Sequence, residues 1–345
     1  MEPVTHFLTG ACLGRSGFNR KTALATATMT LAAEAPDLDV LGRFRGPVFG
    51  FAHHRGFTHS FVGLLIVSAV VVGFMYCVWR LRGRKTSDPD LPPRWGLLFG
   101  LAYLAGLSHI LLDFTNNYGV RPFWPFWERW YEWDIVFIVE PVLLVALTLG
   151  LVVPALFGLI DQEIGRKQKG PRGRGAAIVA LAAMVLLWGV RDYEHRRAVN
   201  ALRALRYEKA DPIRVGAFPT YLNPFLWRGV VETREIFAMP DVDSSVPEVD
   251  PDRSPQWTYK PAETPATLAA KGSYLGRFYA DWAKFLITKT EPTSDGGYIV
   301  YFYDLRFGSS MPASGRRPLS AGVALDRNLK VKSEFMGVVA QPAPD

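Results

Sequence analysis

The chain has 345 residues, 39 Lys and Arg against 32 Asp and Glu, a net charge of +7 and two cysteines. With 49% hydrophobic and 21% charged residues it carries too much apolar surface for a disordered chain, and Cys12 and Cys77, each inside an apolar stretch, exclude a disulfide-stapled secreted miniprotein. The basic residues fall between long apolar runs rather than in one patch, so membrane lipids, and no nucleic acid, are the expected partners.

In chain order, two weaker apolar segments come first, about Val4 to Gly14 and Thr22 to Ala33. The second is rich in Ala and Thr, which predicts a helix packed among others rather than facing lipid. The start, MEPVTHF, has no basic region before its apolar stretch, so no cleavable signal peptide is expected. Phe61 to Trp79 is 19 residues without a charge, close to the roughly 20 residues that cross a hydrocarbon core. Trp95 to Phe114 is a second span carrying His109 and Asp113. Ile135 to Ile160 is a third, with Glu140 and Pro141 inside it, and Ala176 to Val190 is a marginal fourth of 15 residues.

The connections alternate in charge. Arg15, Arg20 and Lys21, then Arg80, Arg82, Arg84, Lys85 and Arg94, then Arg166, Lys167, Lys169, Arg172 and Arg174 mark cytoplasmic loops. Residues 34–60 and 115–134 then lie outside, as does the C-terminal part. Phe123 to Trp133 (FWPFWERWYEW) has seven aromatics and reads as an interfacial belt. The six basic residues between Arg191 and Lys209 conflict with an outer placement, which is kept because long domains translocate regardless of charge. An amphipathic helix along the headgroups is the other reading of that stretch.

After about residue 191 alternating apolar patterns replace the long runs. Ile213 to Phe218, Leu226 to Met239, Tyr298 to Phe307, Gly322 to Asp326 and Leu329 to Phe335 predict strands, Tyr274 to Ile287 a helix, and Pro240 to Pro265 a loop. The expected fold is an α-helical membrane bundle of about six helical segments with four clear spans (residues 1–190), followed by a small soluble α+β domain (residues 191–345). No catalytic motif is visible in the second part.

Five of the six histidines lie within the first 109 residues: His6, His53, His54, His59 and His109. Nearby acids are Glu34, Asp37, Asp39 and Asp113. Ionisable groups at membrane depth default to function. In an up-and-down bundle, the starts of odd helices and the ends of even ones share one side. That logic carries His6, Asp37, Asp39, His54, His59, His109 and Asp113 to the outer end. His109 and Asp113, four apart, share a helix face. Pro36 predicts that the second helix ends before Asp37, Gly56 allows a sharp turn, and Thr58 or Ser60 caps the third helix. Imidazoles and carboxylates without thiolate suit Zn²⁺, Mn²⁺ or Fe²⁺, as one ion or two. A two-metal site favours phosphoester hydrolysis, with Arg55 holding a phosphate oxygen and Asp37 or Asp39 bridging metals or acting as base. Taken singly the residues have ordinary readings: His6 as a packing histidine, Asp37 and Asp39 as helix terminators, His109 with Asp113 as one intrahelical hydrogen bond. His53 reads as a neighbour of the site and His195 as a surface residue.

At these residues the sequence resembles a family of inner-membrane metal-dependent hydrolases, including the group described as LexA-regulated. THFLTG (Thr5 to Gly10), PDLD (Pro36 to Asp39), HRGFTHS (His54 to Ser60) and HILLDFTNNYGVRPFWP (His109 to Pro125) carry the resemblance. It covers about residues 1–160 and extends loosely into Phe218 to Thr233. The resemblance implies the same seven metal-site residues. The pattern is also distantly similar to zinc-dependent phospholipase C. The function expected from all this is an integral inner-membrane hydrolase that uses metal-activated water on a phosphoester, with a lipid-linked substrate reaching it from the bilayer. A metal transporter or sensor, a di-histidine haem protein and a non-catalytic scaffold are the competing readings.

Overall fold

The computed structural model describes residues 1–86, 91–164, 172–221, 223–246, 256–308 and 319–337. The basic residues Arg166, Lys167 and Lys169 of the third internal loop lie outside these, as do residues 247–255 of the expected Pro-rich loop. The chain divides into two compact units. The first comprises Met1–Asp39 and Arg55–Tyr193, the second Val40–His54 and Glu194–Asp345. The short Val40–His54 segment falls with the second unit, away from its neighbours in the sequence.

The first unit is helical. α1 (Pro3–Arg15), α2 (Ala25–Glu34), α4 (Phe61–Leu81), α5 (Trp95–Thr115), α6 (Pro141–Glu163) and the first part of α7 (Arg174–Arg203) form it. Of these, α4, α5, α6 and α7 are long and apolar enough to cross a membrane. α1 and α2 are 13 and 10 residues, too short to do so. They pack on each other, α2 packs on α5, and α5 on α4. Met29, Ala32 and Ala33 of α2 meet Leu98, Leu101, Ala102 and Ala105 of α5 in one core. Small residues let these helices approach closely. A Cβ on Gly10 would stand 2.6 Å from the Met29 carbonyl oxygen and 2.9 Å from Thr30 Cα, so only glycine fits there. By contrast, α4 turns Phe61, Val62, Leu65, Ile66, Val70 and Phe74 outward. An apolar face of that extent is expected where acyl chains cover it.

The connection between α5 and α6 is folded back on the bundle. Isolated bridges join Asn116 to Val136 and Val120 to Tyr131. Its far end is held by α7: Trp133 Nε1 donates to Asp192 Oδ1 at 2.8 Å, and Arg191 Nη2 donates to Glu140 Oε2 at 2.8 Å with both side chains almost fully buried.

The second unit is β-rich. β1 (Arg214–Pro219), β2 (Leu226–Glu232), β3 (Ile236–Ala238), β4 (Asp241–Asp243) and β5 (Trp257–Tyr259) form one antiparallel sheet in the order β1-β2-β3-β5, with β4 also on β2. β6 (Leu286–Pro292), β7 (Tyr298–Asp304), β8 (Ala321–Leu325) and β9 (Val331–Met336) form an antiparallel meander. Phe218, Val230 and Phe237 from the first sheet share a core with Ile287, Tyr301 and Tyr303 from the second. α8 (Pro265–Lys271) and α9 (Tyr274–Trp282) pack on the meander. α3 (Pro47–His53) belongs here too, with Phe51 against the rings of Tyr279 and Trp282 at 5.6 and 5.3 Å between centroids.

Three expectations about this part are corrected. Leu226 to Met239 is a hairpin, not one strand. The helix beginning at Tyr274 stops at Trp282, and β6 starts at Leu286. The basic stretch after the last span is not a separate surface helix, because α7 runs on through it to Arg203. Ala198 and Leu202 on that continuation are buried with Trp227 and Val231 of the first sheet, while Arg196 and Arg203 stay exposed. His195, expected at the surface, lies 5.3 Å from the Trp227 ring.

Candidate metal centre

The starts of α1 and α4 and the ends of α2 and α5 bring the polar residues of the first unit together. α2 ends at Glu34, and a 3₁₀ segment (Ala35–Arg45) carries Asp37 and Asp39. His59 closes a 3₁₀ turn, Phe57–His59, immediately before α4, whose N-cap is Ser60: its Oγ accepts from Gly63 N at 2.9 Å. That turn presses on the helix. A Cβ at Gly63 would lie 1.8 Å from the Phe57 carbonyl oxygen, so glycine at 63 lets His59 sit where it does. His109 and Asp113 occupy the last two turns of α5.

Asp37, His59, His109 and Asp113 each offer a ligand atom within 4.8 Å of the other three, and this group could hold a metal ion. The two His59 and His109 Nε2 atoms are 3.0 Å apart. His59 Nε2 stands 3.4 Å from Asp37 Oδ1 and 3.3 Å from Asp113 Oδ2. His109 Nε2 stands 3.5 Å from Asp37 Oδ1 and 3.4 Å from Asp113 Oδ2. Four donors about 2.0–2.1 Å from one tetrahedral ion stand about 3.3–3.4 Å apart. All five distances that involve a histidine fall around that value.

The tautomers point the same way. His109 Nδ1 is 2.6 Å from the Ala33 carbonyl oxygen, which can only accept, so this nitrogen carries the proton. His59 Nδ1 is 3.0 Å from Thr58 Oγ1 and 3.3 Å from Asp39 Oδ2, and donates to them. At 3.0 Å the two Nε2 atoms are close enough to share a proton or a cation between them. The charges agree. Burial alone would lower the His59 imidazole, but Asp113, Asp37 and Asp39 outweigh it and raise its pKa to about 10. Burial likewise favours a protonated Asp37, yet the hydrogen bonds from His109 and His59 hold it far below the usual carboxylate range.

The remaining expected residues surround this group. His6 is fully buried and stacked on His109, with ring centroids 3.7 Å apart, and its Nε2 is 3.5 Å from Asp113 Oδ1. Neither His6 ring nitrogen has a hydrogen-bond partner among the described residues. Asp39 lies behind His59 rather than beside the other ligand atoms: its Oδ2 also accepts from Arg55 N at 2.8 Å and Thr58 Oγ1 at 3.4 Å. It is placed to orient the His59 imidazole. Asp39→Asn is expected to weaken metal affinity about 10–100-fold without emptying the site, measured by competition with a chromogenic chelator. His54 belongs to the second unit and is not part of the group, and His53 bonds back to Phe49 O at 3.0 Å.

Arg55 is buried beside the cluster. Its Nη2 is 2.8 Å from Asp113 Oδ1, and its Nη1 donates to Gly119 O at 2.9 Å and Asn116 Oδ1 at 3.3 Å. The guanidinium lies 4.6 Å from the Tyr118 ring centroid, and Nε has no hydrogen-bond partner among the described residues. With φ of 54°, Arg55 is held in the left-handed region, a backbone cost of about 1–3 kcal/mol of the kind found at functional sites. Further groups adjoin the cluster. The Met1 ammonium lies against Asp113 Oδ1, and the Ala33 carbonyl fixes a tautomer. Asn116 accepts from both Arg55 and Tyr118 N. Glu34 is half-buried, and burial together with Asp37 pushes its pKa up to about 7.

Residues 1–198 match the YdjM inner membrane protein family. Over 134 residues the chain is 30% identical to the uncharacterized protein YfhP of Bacillus subtilis (strain 168), a match covering 36% of this chain and 38% of that one. The chain therefore spans well under half the length of the curated relative it matches. No solved structure matches. With four helices able to span a bilayer and the family matched across more than half its length, the chain belongs to the YdjM inner membrane protein family.

Proposed function

We propose that this membrane protein is a metal-dependent hydrolase of phosphoesters, built on one divalent ion of the zinc class held by Asp37, His59, His109 and Asp113. The observation that carries the reading is the convergence of the His59 and His109 Nε2 atoms, 3.0 Å apart, with two carboxylates at near-tetrahedral spacings. A single ion is favoured over two. The second oxygen of Asp113 is already engaged by Arg55, leaving His6 as the imidazole on that side. Mn²⁺ or Fe²⁺ would accept the same donors, but near-tetrahedral spacing suits zinc better.

When bound, the ion acidifies a water and polarises a phosphoryl oxygen. The chain's own groups do the rest. Asp37 is the most exposed of the four ligands, with 21% of its side chain accessible, so it marks the open side and is the candidate base. Asp39 keeps the His59 ring aligned. Arg55, with one N–H still lacking an acceptor, is placed to hold a phosphate oxygen. The alternation of basic connections supports an outer location for this end of the bundle and for the residues after α7. Ligands at helix ends fit a surface enzyme better than a transporter, whose sites lie near the bilayer midplane.

The test uses purified protein, elemental analysis and bis-(p-nitrophenyl) phosphate as a soluble diester. Wild type is expected to carry about one ion per chain and to cleave the diester. Arg55→Gln should keep its ion and lose about 100-fold in turnover. A metal-replete wild type inert toward mono- and diesters alike, or an Arg55→Gln protein as active as wild type, overturns the reading.

A further inference from the structure

The first unit contains an apolar groove of about 440 Å³, within the roughly 300–1,000 Å³ of small-molecule sites. Its walls are Phe61 and Val62 from the first turn of α4 and Phe123, Trp124, Phe126 and Trp127 from the connection after α5. Phe126 is 82% exposed, unusual for a phenylalanine with nothing to cover it. The groove is an ordered construction. Phe61 and Phe123 meet edge to face at 5.3 Å, Phe123 and Tyr131 at 5.5 Å, and Phe61 N donates to Pro122 O at 2.9 Å.

Two observations decide the occupant. The groove is continuous with the outward apolar face of α4, a helix able to span the bilayer, so what meets it is hydrocarbon. It is also built on the metal centre. Trp124 packs edge to face on Phe57, first residue of the turn that ends in His59, at 5.6 Å, and Phe61 follows His59 by two residues. The connection that supplies Trp124 begins with Asn116 and Gly119, which hold the Arg55 guanidinium. Buried Arg121, next to Pro122, lies 4.5 Å from the Trp130 ring. The apolar trough thus lies on the same segment that holds the Arg55 guanidinium, matching a molecule with a hydrocarbon tail and an anionic head.

We infer that the groove takes one acyl chain of a membrane phospholipid, and that the hydrolase substrate is such a lipid with its phosphate at the Arg55 side. The second clause rests on the proposed hydrolase function; the first does not. The test is photolabelling in nanodiscs of phosphatidylethanolamine and phosphatidylglycerol doped with a phosphatidylglycerol bearing a diazirine in one acyl chain, mapped by mass spectrometry. Label is expected to concentrate at least five-fold on Phe61–Val62 and residues 122–131 over the outward faces of α6 and α7. Val62→Trp, which fills the trough, should remove most of this enrichment. Phe126→Ser, at an exposed position that does not bear on folding, should at least halve it. Asp113→Asn, which disables the centre, should label like wild type, because labelling needs no turnover. Even labelling of all spans, or enrichment unchanged in both groove variants, overturns the inference. A protein that labels in the groove but cleaves no phosphoester keeps the lipid site and ends the hydrolase reading; one that cleaves the soluble diester but labels evenly does the reverse.

Discussion

His59→Ala protein is expected to purify with less than about one tenth of the wild-type metal and to regain none on dialysis against micromolar zinc. His59 is the hinge of the centre. Its Nε2 lies within 3.0–3.4 Å of a ligand atom on each of the other three residues, and its Nδ1 connects them to Asp39. Removing the ring deletes a donor and leaves Asp37 and Asp113 facing each other with one imidazole fewer between them. The helices are not expected to unfold, since His59 lies outside every span and Ser60 still caps α4. Unchanged far-ultraviolet dichroism and elution volume would establish that the loss is local. Equal metal in wild type and variant would end the assignment of these four residues.

Arg191→Leu is expected to be the most destabilising single change outside the centre. Arg191 and Glu140 are 2% exposed each and bonded at 2.8 Å. Replacing only the cation leaves a buried carboxylate without its partner, at a cost of about 3–5 kcal/mol. The melting temperature in detergent, followed by intrinsic fluorescence, should fall by roughly 5–15 °C. Because paired burial of charge contributes little net stability, Arg191→Leu with Glu140→Leu should recover at least half of the loss. A single variant that melts within 2 °C of wild type (on the order of 1 kcal/mol or less) would show that the pair is not the clasp described here.

Much of the membrane part was legible because hydrocarbon imposes a simple rule: a charge-free run of sufficient length is a helix. Alternating helix direction then placed His6, Asp37, Asp39, His59, His109 and Asp113 at one end, where the structure gathers them. Hydropathy could not rank those residues. Asp39 and Asp37 are two apart and alike in type, yet one touches His59 Nδ1 from behind and the other faces its Nε2. His54 precedes Arg55, whose left-handed backbone re-aims the chain at that point, and a one-dimensional pattern holds no trace of such a turn. In the second unit, the reversal after β2 is made by Thr233, whose Oγ1 accepts from Ile236 N at 3.1 Å. With neither Gly nor Pro at the reversal itself, residues 233–235, Leu226 to Met239 reads as one strand. α9 ends early because Asp304, on a strand twenty residues away, takes the Lys284 N–H at 2.8 Å. Only tertiary structure supplies that partner.

The excursion Val40–His54 bears on how the protein can be cut. It leaves at Asp39 and returns at Arg55, two residues joined by one hydrogen bond, and its helix α3 finds its aromatic neighbours on α9. A fragment ending at Tyr193 would look like a complete bundle by hydropathy, yet it would carry a loop whose Phe51 had lost both Tyr279 and Trp282. Trimming the tail to obtain a minimal helical bundle is therefore the wrong strategy for this chain: the shortest sensible fragment reaches past Trp282.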